Sequence, residues 1–586
     1  MHLKFIFRER KSTLPRPSIF AARVCWTRIL ISFFSVTLMG FSSLTEASNP
    51  PLTFLHASGQ DIVNEHGDPI LLRGVGLGNW MLPEGYMWKF GNRADRPRRI
   101  EKLVRDLVGE EDAKQFWAEY RRYYIAEPDI QRIAALGYNS VRPALNSRLF
   151  LTETDPPHEL EEGFELLDNL IRWCKANRVY VIIDMHGAPG GQTGQNIDDS
   201  ANNLPELFMN PKHQDQLVAL WEKIARRYKD EPAVAGYDLL NEPLPERTGA
   251  SAKHKAQLEP LYQRITRAIR AIDSKHMIIL EGADWSNDWS VFTKPFDENL
   301  VYQFHYYCWD SPTKLNSIQR FLDARERLNA PVWVGETGEK DDAIYWATTD
   351  YFEANNIGWS FWPWKKMETQ NTPYSIKAPE NWNAITTYSN GGEKPSKEIA
   401  SKAFSELLNN IRLENCVFFP GVVNAMFRQA PVKIEAENFG HNGQNKSYFV
   451  TNPQRLSESY RHSEPVAIHT LSETRRRSAQ YVTLRASEWT AYNVWSDTAA
   501  PYLLTIKAKT ANAPAQVQLQ LGSRVLNVTL EKKAWKEIEL GSVELARGKN
   551  DLKWFVTDGV ADLDWIQLSP AVTTQTAKSE SAAVTQ

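Results

Sequence analysis

Across residues 71–365 the chain repeats one pattern. A short run of consecutive apolar, β-branched or aromatic residues alternates with a longer stretch whose apolar positions recur every three to four residues. The short runs are "LLRGVGLG" from Leu71, "SVRPAL" from Ser140, "VYVIIDMHG" from Val179, "VAGYDLLNEP" from Val234, "MIILEGAD" from Met277, "LVYQFHYYC" from Leu300, "PVWVGETGE" from Pro331 and "IGWSFWPWK" from Ile357. Stretches such as "FELLDNLIRWCKANR" and "QDQLVALWEKIARRYKD" separate them and often end in Gly, Asn or Asp, as a helix leading into a strand does. Strands apolar on both faces belong in parallel sheets covered on both sides. Eight strand–helix units in series therefore predict an α/β fold of the (β/α)8 TIM-barrel kind. A doubly wound open sheet would want GxGxxG running straight into a helix, and "GVGLGN" has neither that spacing nor the helix.

After "KEIASKAFSELLNNI", read as the last barrel helix, the period changes near 420–431. Alternating runs then follow without helices, among them "VKIEAENF", "SAQYVTLRASEWTAYNVWS", "YLLTIKAKT", "AQVQLQLG" and "ADLDWIQL". Many short strands parted by Gly, Pro and Asn predict a C-terminal all-β sandwich, jelly-roll-like. The expected organisation is an export segment over 1–48, a barrel over 49–425, a sandwich over 431–570 and a disordered tail over 571–586. The first segment sets basic residues, Arg8, Arg10, Lys11, Arg16, Arg23 and Arg28 among them, before the apolar run 29–41, and "LTEAS" offers small residues for cleavage. That run is short for a membrane span, so secretion to the periplasm or cell surface is expected, without stable membrane insertion after processing.

In such a barrel the C-terminal strand ends form one rim, where chemistry sits. The runs here end by turning polar: Arg142 on the second, Asp184 and His186 on the third, Asn241 and Glu242 on the fourth, Asp284 and Trp285 on the fifth. His305 and Tyr307 follow on the sixth, Glu336 on the seventh and Trp362 on the eighth. Taken alone, Glu242 reads as a solvated loop residue; convergence of so many polar ends on one rim points to a site. Two glutamates on strands four and seven meet the needs of glycosidic cleavage by double displacement. One carboxyl protonates the leaving oxygen while the other attacks, at a separation of roughly 5 to 5.5 Å. Arg142, His305 and Tyr307 are expected to keep Glu336 charged, and Glu242 to hold a proton in drier surroundings.

At this point the chain resembles glycoside hydrolase family 5, over about residues 54–411, through "LLRGVGLGNW", "VRPALN", "DMHGAPGGQTGQNIDDS", "LLNEPL", "QFHYY", "VGETGE" and "WSFWPWKK". The resemblance implies Glu242 as acid/base and Glu336 as nucleophile, with Arg142, His186, Asn241, His305, Tyr307 and Trp362 at the substrate. "HGAPGGQTG" and "GLGNWMLPE" look closest to the exo-β-1,3-glucanase branch, which implies that Glu84 helps hold the terminal sugar and that rim residues 79–117 wall the subsites. The loop "GGQTGQNIDDS" and the ending "WPWKKMETQNTPYSI" depart from that branch, so β-1,4-endoglucanase and glycosylceramidase specificities stay open. The sandwich is similar to carbohydrate-binding modules of the family 6 and 35 type. By that likeness it offers Glu435, Glu437 and Asp564 as ligands of a structural calcium and Tyr460, Trp495 and Trp554 as aromatics to watch.

Composition narrows the partners. A formal charge of −3 leaves no basic surplus for nucleic acid, while 20 Trp and 21 Tyr suit half-wet faces such as those of sugars. Neither HxH on the first strand nor an HExxH helix marks a catalytic metal, and no cofactor is expected. Four Cys at wide spacing specify no disulfide framework. A monomer acting on a β-glucan or oligosaccharide is the reading, against the alternative of a catalytically silent carbohydrate-binding or wall-associated protein.

Overall fold

The computed structural model describes residues 51–571 except 309–314, 316, 456, 458–459 and 475–476, and it leaves the side chains of 472–478 undescribed. The expected export segment, and the tail from 572, lie outside the described residues.

Among the described residues, each of the eight apolar runs forms a strand: β1 (Arg73–Leu77), β2 (Ser140–Asn146), β3 (Tyr180–Gly187), β4 (Val234–Asp238), β5 (Met277–Glu281), β6 (Leu300–Tyr306), β7 (Val332–Gly338) and β8 (Gly358–Trp362). They pair in parallel and close, with Trp359 beside Arg73 and Phe361 beside Val75 where β8 meets β1. The strands are buried on both faces, as the unbroken apolar runs required. Helices Glu127–Ala135, Glu161–Ala176, Pro211–Tyr228, Leu258–Arg270, Gln319–Leu328, Asp342–Ala354 and Lys397–Asn410 surround them. Several start on a side-chain cap: Asn210 accepts from the Lys212 amide, Asp341 from Ile344 and Ser396 from Ile399. After β5 the crossover holds only the short turn Ala283–Ser286 and a 3-10 turn. At the other end the hairpin His56–Ser58 and Asp61–Val63 precedes an apolar layer of Leu55, Ile62, Tyr180, Met277, Ile279 and Trp333 that fills the barrel base.

The glycines of "GVGLG" have a steric origin. A Cβ on Gly76 would lie 2.3 Å from the Trp362 ring, and one on Gly78 would lie 2.5 Å from it. The first strand is bare so that the indole of the eighth can lie against it.

The C-terminal region is a pair of antiparallel sheets, one of six strands and one of five. "SAQYVTLRASEWTAYNVWS", read as one run, divides into Arg477–Arg485 and Trp489–Ser496 on opposite sheets. The corner between them holds Ser487 at φ 73°. Short strands Tyr448–Phe449 and Ala467–Thr474 also went unread, as did helix Pro420–Phe427. That helix docks on Asp342–Ala354, where Thr349 Oγ1 donates to the Met426 carbonyl and Arg428 pairs with Glu353. Tyr460 and Trp554 belong to the sandwich core, whereas Trp495 is 44% exposed. Cys174, Cys308 and Cys416 form no disulfide among the described residues.

The three carboxylates expected to hold calcium lie in unlike surroundings. Glu435 is engaged by Lys433 Nζ at 2.8 Å and Asp564 by Lys507 Nζ at 2.8 Å. Only Glu437 is buried with a carboxylate oxygen lacking a partner, and burial beside Glu435 and Asp564 pushes its pKa well up. A hard cation at these oxygens would have to displace both lysines.

Candidate active site

The C-terminal ends of the barrel strands surround a cavity of about 570 Å³ whose wall includes Glu84, His186, Glu242, His305, Glu336 and Trp362. Backbone strain places the first of the two paired acids. The chain leaves β4 with Glu242 at φ 44°, a left-handed conformation costly for a residue with a Cβ. It is pinned there by its amide, which donates to Glu281 Oε2 at 2.7 Å. Glu242 Oε1 accepts from His305 Nδ1 at 2.7 Å. The expectation that His305 serves Glu336 is corrected accordingly, since that nitrogen is 3.6 Å from Glu336 Oε2.

Glu336 has other donors. Arg142 Nη1 donates to its Oε1 at 2.6 Å and the Tyr307 hydroxyl to its Oε2 at 2.7 Å. One charge-assisted bond on each oxygen is the pattern that favours an acceptor-only carboxylate. Arg142 itself is fully buried beneath the cavity and spends its other N–H groups on Asp238 Oδ2 at 2.8 Å, Asn241 Oδ1 at 2.8 Å and Glu281 Oε1 at 2.9 Å. Asn241, expected on a sugar hydroxyl, is likewise wholly buried and off the cavity wall; its Nδ2 sits 3.2 Å from His186 Nε2.

His186 stacks on Trp362, centroids 5.2 Å apart and planes 5° from parallel, and its Nδ1 meets Asp184 Oδ2 at 2.8 Å. Burial lowers its pKa to about 4, so it is a neutral imidazole at ordinary pH. Trp362, expected as a platform, reaches the cavity but is only 3% exposed, wedged between His186 and the β1 glycines, and its Nε1 donates to the Tyr86 hydroxyl at 3.1 Å. Glu84 is on the wall, as expected; burial, reinforced by Glu336, Glu339 and Glu242, pushes its carboxyl well above the usual range.

Burial, opposed by His305, also raises Glu242. His305 moves up despite burial, because Glu281, Glu336 and Glu242 all face it. Burial lifts Asp184 to about 7 and Asp238 to about 8, against the pull of Arg142. Two cations among these carboxyls cannot neutralise them all in a low-dielectric interior, and protons make up the difference.

Sequence reasoning passed over Asp238, Glu281, Gln303 and Glu339. Gln303 Nε2 donates to Glu281 Oε1 at 2.7 Å, and Lys366 Nζ pairs with Glu339 Oε1 at 2.6 Å beside the cavity. The signal available was a carboxylate or amide embedded in an apolar strand, as in "GYDLL", "IILEG" and "VYQFH".

One oxygen each of Glu242 and Glu336 and a ring nitrogen of His305 lie within 4.8 Å of one another, the one such three-residue cluster among the described residues that could share an ion. A metal ligand must be a neutral imidazole, and His305 is held protonated, so the trio suits proton chemistry better than coordination.

Residues 108–368 match the family model described as cellulase (glycosyl hydrolase family 5). A beta-xylosidase of Phanerodontia chrysosporium is 29% identical over 364 residues, covering 55% of this chain and 74% of that protein. A probable glucan 1,3-beta-glucosidase A of Emericella nidulans is 28% identical over 301 residues, covering 49% and 71%. Among solved structures, a crystal structure of endogalactoceramidase aligns with 86% of this chain and 99% of its own at 16% identity and a TM-score of 0.45.

Proposed function

We propose that the barrel is a glycosidase that hydrolyses a β-glucan or β-glucoside with retention, by double displacement, a reading supported by its match to the cellulase family model and its likeness to glycosidases. One observation carries the reading: carboxylate oxygens of Glu242 and Glu336 approach within 4.8 Å. Retaining glycosidases hold their two carboxyls roughly 5 to 5.5 Å apart, whereas inverting ones leave roughly 6.5 to 9.5 Å for a water.

Glu336, oriented by Arg142 and Tyr307, attacks the anomeric carbon as the glycosidic bond breaks. Glu242, whose pKa burial raises, delivers its proton to the departing oxygen. In the second half Glu242 takes a proton from water, the hydroxide attacks the glycosyl ester, and Glu336 leaves as a carboxylate. Glu84, protonated on the wall, offers an O–H to a sugar oxygen. The likeness to a probable glucan 1,3-beta-glucosidase supports a β-1,3-linked glucan as the substrate. The apolar run 29–41 behind its basic residues supports export, which would bring the enzyme to polymeric glucan.

Proton NMR of the first products from an aryl β-glucoside tests the mechanism: the β-anomer is expected to appear first, and an initial α-anomer overturns it. Glu336→Ala is expected to lose at least 10³-fold in turnover, and azide is expected to restore part of it as the α-glycosyl azide. A β-azide product would reassign the nucleophile.

A further inference from the structure

A second cavity, of about 450 Å³, lies where the sandwich meets the barrel and at the opposite end of the barrel from the acids. Its barrel wall is Arg73, the first residue of β1, and residues 134–137, which lead from a helix into the N-terminal end of β2. Its sandwich wall is Trp495, Asp497 and Arg547. Trp495 is an aromatic residue on the outward phase of its strand. Trp489–Ser496 alternates inward and outward, and Trp495 takes an outward place yet remains 44% exposed, among the few large hydrophobic side chains so open. The strand end is held firmly. Trp495 N donates to the Arg428 carbonyl at 2.8 Å, and Ala430 N donates to the Trp495 carbonyl at 2.8 Å, so strand and interdomain linker are sewn together under the ring.

Polar groups surround the indole. Gln429 Nε2 donates to Asp497 Oδ2, which leaves the other carboxylate oxygen open, and Arg547 is exposed and enters no ion pair among the described residues. A flat apolar face ringed by a carboxylate, an amide and a guanidinium matches a pyranose, whose C–H face is apolar and whose equatorial hydroxyls point outward as donors and acceptors. A nucleotide or an acidic peptide fits less well, because Glu353 pairs with both Arg73 and Arg428 and Asp497 adds a further negative charge to the wall. We propose that this seam is a non-catalytic sugar-binding site, with Trp495 as platform and Asp497 and Arg547 as hydroxyl partners, that tethers a β-glucan chain remote from the cleavage site. The ligand class rests on the function proposed above; the binding measurement does not.

The test is affinity electrophoresis of the full chain in gels containing soluble β-1,3-glucan or β-1,4-glucan, in a Glu336→Ala background so that the polymer survives. Trp495→Ala is expected to weaken retardation at least fivefold and Arg547→Ala two- to fivefold. In the active background both are expected to leave turnover of an aryl β-glucoside and the melting temperature unchanged, because that small substrate cannot reach both sites. Unaltered retardation in both variants would overturn the proposal, as would absence of retardation in the parent. So would a parallel fall of aryl-glucoside turnover and melting temperature, which would make Trp495 a seam-packing residue. Retardation by a chain that hydrolyses no β-glycoside would sink the catalytic reading and leave this one standing.

Discussion

His305 Nδ1 lies 2.7 Å from Glu242 Oε1, in a hydrogen bond that ties the sixth strand to the end of the fourth. The same nitrogen is 3.6 Å from Glu336 Oε2. The imidazole thus stands between the two acids and bonds to Glu242. Its charge pulls the Glu242 pKa down against the lift of burial. Removing it in His305→Ala is expected to let Glu242 rise further. The alkaline limb of kcat/KM, which reports loss of the acid's proton, should move to higher pH. A pH–rate profile on an aryl β-glucoside checks this; an unmoved limb would deny the coupling.

Tyr307 gives Glu336 its second donor. A hydrogen bond to a charged group contributes about 1.5–3 kcal/mol. Tyr307→Phe is therefore expected to lower kcat on the order of 10–100-fold if the bond is lost in the transition state. The protein should stay folded, and comparing kcat with KM separates this from lost substrate binding.

Glu242→Gln separates acid from nucleophile. Without a proton donor, substrates with poor leaving groups should slow by a factor of about 10²–10⁴. Substrates with strongly acidic phenol leaving groups need little protonation and should suffer much less in the first step. A series of aryl glucosides of graded leaving-group pKa reads this directly.

Gly76→Ala tests why the first strand is glycine-rich. Its Cβ would stand 2.3 Å from the Trp362 ring, which cannot retreat because His186 stacks on it. Overpacking of this kind costs about 1–3 kcal/mol. A lower melting temperature and reduced turnover are expected together, since the displaced ring is part of the cavity wall.

The buried acids also set a pH dependence of stability. Asp184 and Asp238 titrate at about 7 and about 8 in the folded chain. An unfolded aspartate titrates near 3.9, so between those values the native state holds more protons and stability falls as pH rises. His186, lowered to about 4 from 6.5, opposes this only below about 6.5. From pH 6.5 to 8 the melting temperature is thus expected to fall, by an amount on the order of several degrees. Asp238→Asn, which needs no proton, should flatten the slope in a calorimetric series.

Local pattern was enough for the barrel. Period and apolar continuity mark strands and helices wherever a segment is buried on a repeating face, and the polar residues closing each run marked Glu242, Glu336 and His186 as rim positions, whereas Arg142 lies within its strand, beneath the cavity. "SAQYVTLRASEWTAYNVWS" shows where pattern runs out: both halves alternate alike, and only the corner at Ser487 sends them to different sheets.

The sequence by itself determined which side chains reach the barrel mouth, because strand order and strand ends are written in short-range hydrophobicity. Only the tertiary structure decided which of them meet. Asp238, Glu281 and Gln303 look like flaws in apolar strands until the barrel closes and Arg142 and His305 stand beside them. Likewise, Asn241 went beneath the cavity and His305 to Glu242, since distances between residues far apart in the chain follow from closure and packing and not from local period.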